Sequence, residues 1–423
     1  MFTWIFALTV LSTISMRLYL ANRQVRHIMG HRAAVPAPFT DSIALQAHQK
    51  AADYSVARTR LGMLALLADT AVVVAFTLLG GLDQLDTLLR AHTSGLWYGL
   101  ALVGVVGLIG SVVELPLSYH RQFNLEASFG FNRMTPGLFW SDWLKGLLVG
   151  VLIGGPLVAV VLYLMEAAGS LWWLYAWGVW SIFSLILMVL YPTFIAPLFN
   201  KFSPMEAGDM RSRIESLLQR CGFSSNGLFV MDGSKRSAHG NAYFTGFGKA
   251  KRIVFFDTLM TRLNGPQIEA VLAHELGHFK KKHVLKHLVI SFVFSLATLW
   301  LISELLQRPW FFAGLGVKPN LLANNHAMAL VLFFMVAPFF SFPLKPLMAA
   351  MSRKHEYEAD AYAAEQTDAK DLVSALVRLY EDNASTLTPD PLHSLFYDSH
   401  PPASLRIKHL ESLKESGVSG VYA

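Results

Sequence analysis

The sequence predicts a mainly α, polytopic membrane protein whose seven spanning helices carry a small α+β metal-binding region. Three observations predict it. Of 423 residues, 53% are hydrophobic and 15% charged, with a mean hydropathy of +0.41, whereas soluble domains carry about 25% charged residues. Seven apolar runs approach or exceed the roughly 20 residues that a helix needs to cross a bilayer. One pattern, His274-Glu275-Leu276-Gly277-His278, places two imidazoles about one helical turn apart beside a carboxylate.

The runs lie at residues 2–20, 61–81, 97–118, 146–166, 171–192, 284–306 and 327–350. The first reads as a retained span rather than a cleaved leader, because it lacks a basic start and a clear small-residue cleavage site before Arg17. Basic residues set the orientation. Arg23, Arg26, Arg32, Lys50, Arg58 and Arg60 follow the first run, and Arg121, Arg133 and Lys145 follow the third. Residues 193–283 and the tail after 350 are also rich in Lys and Arg, while 82–96, 167–170 and 307–326 are poor. The expected topology puts the N-terminus outside and the C-terminus and metal helix in the cytoplasm. The pI of about 9.2 follows from that loop bias and from attraction to anionic lipid. With no basic-aromatic motif and no finger spacing, no nucleic-acid partner is expected. The single cysteine, Cys221, excludes an intrachain disulfide and a Cys-cluster metal site. Glu166 and Glu304 lie near span ends, whereas Asp69 and Glu114 lie deeper and point to a water-accessible interior.

Four regions follow: membrane helices one to five with their loops (1–197), a polar region ending in the metal helix (198–283), helices six and seven (284–350), and a mostly helical C-terminal region (351–423). The segment Gly208 to Cys221 reads as a helix with apolar Met210, Ile214, Leu217 and Leu218. Strands are expected at 227–231, 241–245 and 252–256, the last two joined through Gly246-Phe247-Gly248. Asn264-Gly265-Pro266 starts the metal helix, with Pro266 near its first position. Ile268, Val271, Leu272 and Leu276 form its apolar side. Gly277 costs the helix roughly 1 kcal/mol relative to Ala, which suits a place where backbone or substrate passes close.

The five-residue pattern is the H-E-x-x-H signature of zinc hydrolases. Both imidazoles can reach one tetrahedral ion, and Glu275 can take a proton from an attacking water. A surface helix with His, Glu and His needs no metal, so the surroundings decide. A catalytic zinc needs a third protein ligand and one open position. Glu356 is the candidate, with His355 as a rival. If 351–366 is helical, Glu356 and Asp360 share a face, and Asp360 can accept a bond from a ligand imidazole and fix its tautomer. The alternative is a solvated charged helix, since Glu358 and Glu365 lie close by.

Ordered motifs along nearly the whole chain extend this reading. They are Phe129-Gly130-Phe131-Asn132, the segment from Pro192 to Asn200, the segment from Asp232 to Ser237, Asn241-Ala242-Tyr243 with Gly246, the H-E-x-x-H, the segment from Glu356 to Asp360, and Ser399-His400-Pro401-Pro402. Together they resemble the Ste24-type CAAX prenyl proteases, the integral-membrane branch of the M48 zinc metallopeptidases. The resemblance implies seven transmembrane helices around a large hydrated chamber, closed at its cytoplasmic end by one zinc site. It implies His274, His278 and Glu356 as ligands, Glu275 as base, and Asp360 behind a ligand imidazole. Asn241, Ala242 and Tyr243 would pair with substrate backbone, His400 would help stabilise the tetrahedral intermediate, and Arg406 would join the substrate-binding residues by binding a carboxylate nearby, the alternative being a surface arginine. The expected partners are a peptide or protein, prenylated or plain, and the lipid bilayer.

The chain is more compact than eukaryotic members of that family and shows no C-terminal retention signal, so a bacterial inner membrane is expected. Two other functions fit the sequence. One is quality-control cleavage of membrane proteins, as in HtpX-like relatives. The other, from a different class, is a transporter with a structural zinc. A structural site would be closed by four protein ligands, and three are found.

Overall fold

The computed structural model describes residues 1–223, 227–245, 252–319 and 324–415; the expected Gly246-Phe247-Gly248 connection lies outside them. Among the described residues, seven helical segments are long and apolar enough to cross a membrane: Phe2–Gly30, Leu45–Phe76, Gly95–Glu126, Pro136–Ala167, Gly169–Leu198, His283–Leu306 and His326–Gln366, here spans one to seven. Most run past the apolar stretch that announces them. Hydropathy marks only the part suited to hydrocarbon, whereas backbone hydrogen bonding continues into the polar layers. Span two is shifted instead. It ends at Phe76, and Gly80, at φ 76°, turns the chain into a separate short helix, Gly81–Arg90. Span four carries a π-turn at Gly150–Gly154 just ahead of Pro156, which has no N–H to give.

Each span packs on the next, and span seven returns to span one, so the ring closes. One end is sealed by an apolar cluster that includes Phe6, Tyr98, Leu102, Leu162, Trp172, Ile302 and Leu332. Away from that end the packing thins. Span three buries Tyr98, Gly99 and Leu102, but 103–120 contains no buried residue. Asp69 and Glu114, the deep acidic residues, are both exposed rather than packed against neighbouring helices.

The other end carries the polar region. Its sheet has β1 (Phe202–Pro204), β2 (Leu228–Met231), β3 (Ala242–Thr245) and β4 (Arg252–Phe256) in the order β1-β2-β4-β3. The β2–β4 pair is parallel and the other two are antiparallel. Strand β1 has no sequence announcement; three residues with a proline satisfy only an edge position. Helices α1 (Asp209–Arg220), α2 (Gly265–Lys280), α3 (Ala369–Asp382), α4 (Pro391–Tyr397) and α5 (Ala403–Glu415) complete the region. Ile214, Leu217, Phe255, Ile268, Leu272, Leu276, Ala363 and Leu372 form its core, with Cys221 packed among them.

Span seven joins the two ends. A 3-10 turn at Phe342–Leu344 accommodates Pro343, and the helix then runs on from Lys345 to Gln366. The segment 351–366 is therefore the protruding end of a membrane helix, and it lies against α2.

Candidate metal centre

Helix α2 begins with a capping box. Asn264 Oδ1 accepts from the Gln267 N–H, and Gln267 Oε1 accepts from the Asn264 N–H, both at 3.0 Å. This fixed start sets the rotation of the helix. Ile268, Leu272 and Leu276 turn into the core, and His274 and His278 turn toward span seven. Gly277 has no side chain to keep the two helices apart, and the ligands of both can meet.

His274 Nε2 and His278 Nε2 stand 3.3 Å apart. Glu356 Oε2 lies 3.4 Å from the first, and Glu356 Oε1 lies 3.4 Å from the second. Two ligands bound at about 2.0–2.1 Å to one tetrahedral ion are roughly 3.3 Å apart, so the spacing fits. Glu356 is 4% exposed, and among the described residues its Oε2 makes no hydrogen bond, with His274 Nε2 at 3.4 Å and Arg406 Nη1 at 3.8 Å nearby. A buried carboxylate oxygen without a partner is costly, and a cation between these three groups removes the cost. Among the described residues this is the one cluster of three or more His, Cys, Asp or Glu side chains that converge within metal-binding distance.

Asp360, fully buried, lies 2.8 Å from His274 Nδ1 through its Oδ1. Arg406 donates to both Asp360 oxygens, at 2.5 and 2.8 Å. The expectation grouped Arg406 with substrate-binding residues. The structure instead places it under the ligands, 5% exposed, with its guanidinium already engaged by Asp360. The carboxylate it binds belongs to the protein.

Electrostatics follow from these contacts. Burial works against a charge on His274, but Asp360 and Glu356 outweigh it and raise its pKa to about 9. His278 is pushed down to about 4 by burial and by the neighbouring His274. Burial also raises the Glu275 carboxyl above its usual range, the direction that suits a base working near neutrality.

His400 extends an exposed ring whose Nε2 is 3.4 Å from Glu356 Oε1. Strand β3, which begins at Ala242, is an edge of the sheet and packs against α2. The Asn241 carbonyl accepts from the Phe256 N–H at 3.0 Å, and Asn383 brackets Gly240 through bonds of 3.2 and 3.4 Å. Asn241, just ahead of β3, and Ala242 and Tyr243 within it thus lie near the metal helix, and among the described residues no strand pairs with the other side of β3. The rival ligand His355 turns away from the cluster. Its ring stacks on His283 at 4.0 Å, and its Nδ1 lies 3.1 Å from His287 Nε2. Sequence reasoning passed over His283 and treated Glu358 only as a neighbouring charge, yet His283 lies 3.0 Å from His278 and 2.8 Å from Glu358. The one available signal was His283 itself, five residues after His278.

Two family profiles match the chain. "CAAX prenyl protease N-terminal, five membrane helices" covers residues 24–201, and "Peptidase family M48" covers residues 204–414. The chain is 33% identical over 434 residues to CAAX prenyl protease 1 of Saccharomyces cerevisiae, covering 96% of this chain and 94% of that protein. It is 37% identical over 341 residues to a CAAX prenyl protease 1 homolog of Arabidopsis thaliana, covering 78% and 76% of the two chains. The crystal structure of S. mikatae Ste24p superposes with a TM-score of 0.91 at 30% identity, over 97% of this chain and 99% of that one. These relatives are eukaryotic, which runs against the bacterial inner membrane expected from the sequence. Compactness carries no information on compartment, because loop length varies freely while the membrane core is retained. Seven spans, the converging ligand set and full-length similarity make the chain a multi-pass membrane metalloprotease of peptidase family M48, in the CAAX prenyl protease branch.

Proposed function

We propose that the metal is a single zinc ion held by His274, His278 and Glu356, and that the chain cleaves prenylated proteins near their C-termini on the cytoplasmic side of a membrane. The observation that carries this reading is the convergence of two imidazoles and one carboxylate whose buried Oε2 makes no hydrogen bond among the described residues. Two His and one carboxylate leave a fourth tetrahedral position open, as a hydrolytic zinc requires and a structural zinc does not. That ligand count favours the hydrolase over a transporter.

Zinc at this place supplies a Lewis acid that lowers the pKa of water and polarises a carbonyl. Glu275 takes the proton from the attacking water and returns it to the leaving amine. His400, with its exposed ring beside Glu356, donates to the oxygen on which charge develops. Asp360 and Arg406 hold His274 in the tautomer that turns Nε2 to the metal. The substrate lies extended along the outer edge of β3 and adds a strand to the sheet, with Asn241, Ala242 and Tyr243 beside it. The metal region comprises 198–283 together with 351–423, the two being separated in sequence by spans six and seven. The same basic-loop bias that predicts the topology puts both on the cytoplasmic side.

The test pairs metal analysis of the purified protein with cleavage of three substrates: a farnesylated CAAX peptide, the same peptide without its lipid, and an unfolded membrane-protein fragment. One zinc per chain and chelator-sensitive cleavage that favours the farnesylated peptide are expected. Equal cleavage of all three would replace the prenyl-specific reading with quality control. Zinc without any hydrolysis would remove the enzyme assignment of this site.

A further inference from the structure

His278 presents Nε2 to the metal position, so its other nitrogen needs a partner. His278 Nδ1 lies 3.0 Å from His283 Nδ1, and His283 Nε2 lies 2.8 Å from Glu358 Oε2. Two ring nitrogens facing each other share one hydrogen between them. An imidazole that binds a metal through Nε2 carries its hydrogen on Nδ1. That hydrogen points at His283 Nδ1, which must then be bare. The hydrogen of neutral His283 sits on Nε2, where it meets the Glu358 carboxylate. With His278 bound to metal and His283 neutral, this is the assignment that makes both contacts hydrogen bonds.

The arrangement is built rather than incidental. His283 is 2% exposed, and its ring lies against His355 at 4.0 Å and an interplanar angle of 14°, which fixes its plane. It is also the first residue of span six. Lys282, at φ 57°, turns the chain there from α2 into the membrane helix. A left-handed conformation is uncommon for a residue with a side chain, and here it delivers His283 back toward α2. Glu358 lies two residues past Glu356 on span seven, with Lys286 at 3.8 Å and Lys354 at 4.0 Å favouring its charged form. Span seven therefore reaches the metal position twice, directly through Glu356 and indirectly through Glu358 and His283. The two ligand imidazoles are held differently: His274 by a carboxylate directly, His278 through an intervening ring.

We propose that His283 and Glu358 are positioning residues that fix the tautomer and orientation of His278 through a carboxylate–imidazole–imidazole relay. This rests on the metal-centre reading above. The test measures zinc dissociation constants of the full chain in detergent, by competition with a chromophoric chelator, for wild type, H283A, H283N, E358A and H283A/E358A. H283A is expected to bind zinc about 10–100-fold more weakly, the usual loss for a partner of a ligand imidazole. In H283N the side-chain oxygen takes the place of Nδ1 and accepts the same hydrogen, so affinity returns to within several-fold of wild type. E358A weakens binding alone but adds nothing in the H283A background, because Glu358 acts through His283. Unchanged affinity in H283A, failure of H283N to recover, or fully additive losses would each overturn the relay. If H283A is damaged in folding, the comparison of H283N with wild type still decides. A wild-type chain that binds no zinc would instead defeat the metal-centre reading.

Discussion

Gly277 and Ala359 meet backbone to backbone where α2 crosses the extension of span seven. A Cβ on Gly277 would stand 2.9 Å from Ala359 Cα and 3.0 Å from the Ala359 carbonyl oxygen. This contact lies between the two ligand-bearing stretches and sets the separation from which Glu356 reaches His274 and His278. G277A gains roughly 1 kcal/mol of helix propensity, but it overpacks against backbone that cannot rotate away, at about 1–3 kcal/mol. The net expectation is a lower thermal midpoint and weaker metal retention, read by scanning calorimetry and metal analysis on the same sample. A variant as stable and metal-loaded as wild type would show that the helices can separate freely.

E275Q removes the base while leaving the metal ligands in place. Zinc content should equal that of wild type, and peptide cleavage should fall by about 10²–10⁴-fold, the range for general acid–base catalysis. Cleavage at the wild-type rate would exclude Glu275 as the base.

H400A tests the donor opposite Glu356. Its ring is exposed, so folding and metal content should not change. Turnover should drop about 10²–10³-fold, as for loss of an oxyanion donor. A change confined to KM would assign His400 to substrate binding instead.

R406A leaves a fully buried Asp360 carboxylate without its two guanidinium bonds. Removing one partner of a buried pair costs about 3–5 kcal/mol, so the variant should unfold at markedly lower temperature and lose metal. R406K should recover only part of the loss, because an ammonium cannot bond both oxygens in the same fork. Full recovery by lysine would reduce the role of Arg406 to charge alone.

Asp390 links span one to the C-terminal region. Arg23 donates to both its oxygens at 2.9–3.1 Å, and Asp390 also caps α4. Burial works against its charge, but Arg23 and the His393 N–H outweigh it and hold the carboxyl below the usual range. A depressed folded-state pKa means that the stabilisation is present above the ordinary aspartate pKa of about 3.9. It is lost as pH falls through the lower folded value. Between about pH 5 and pH 3 the melting temperature of wild type should therefore fall more steeply than that of D390N, at one scan rate in one detergent. Parallel curves would remove Asp390 from the pH response.

Much of this molecule is legible in its sequence. Each of the seven apolar runs falls mostly within its own spanning helix, and strands 228–231, 242–245 and 252–256 lie within a residue of their expected limits. Hydropathy and alternation are local properties, and local pattern is enough to fix them. Strand β1 was missed because three residues ending in proline have no periodicity, and it is defined by its antiparallel pairing with β2. The end of span two was misplaced because Gly80 and Gly81 lie inside an otherwise apolar run.

The sequence by itself determined that the chain lives in a membrane and carries two imidazoles and a carboxylate on one α2 turn, together with acidic residues on a distant helix. Tertiary structure alone decided which of those distant groups joins the imidazoles. Glu356 turns toward α2 while neighbouring His355 turns to His287, Arg406 sinks beneath Asp360, and His283 backs His278. Those outcomes depend on the rotation and separation of two helices that lie far apart in sequence. That geometry is set by contacts such as Gly277 against Ala359, which no local periodicity records.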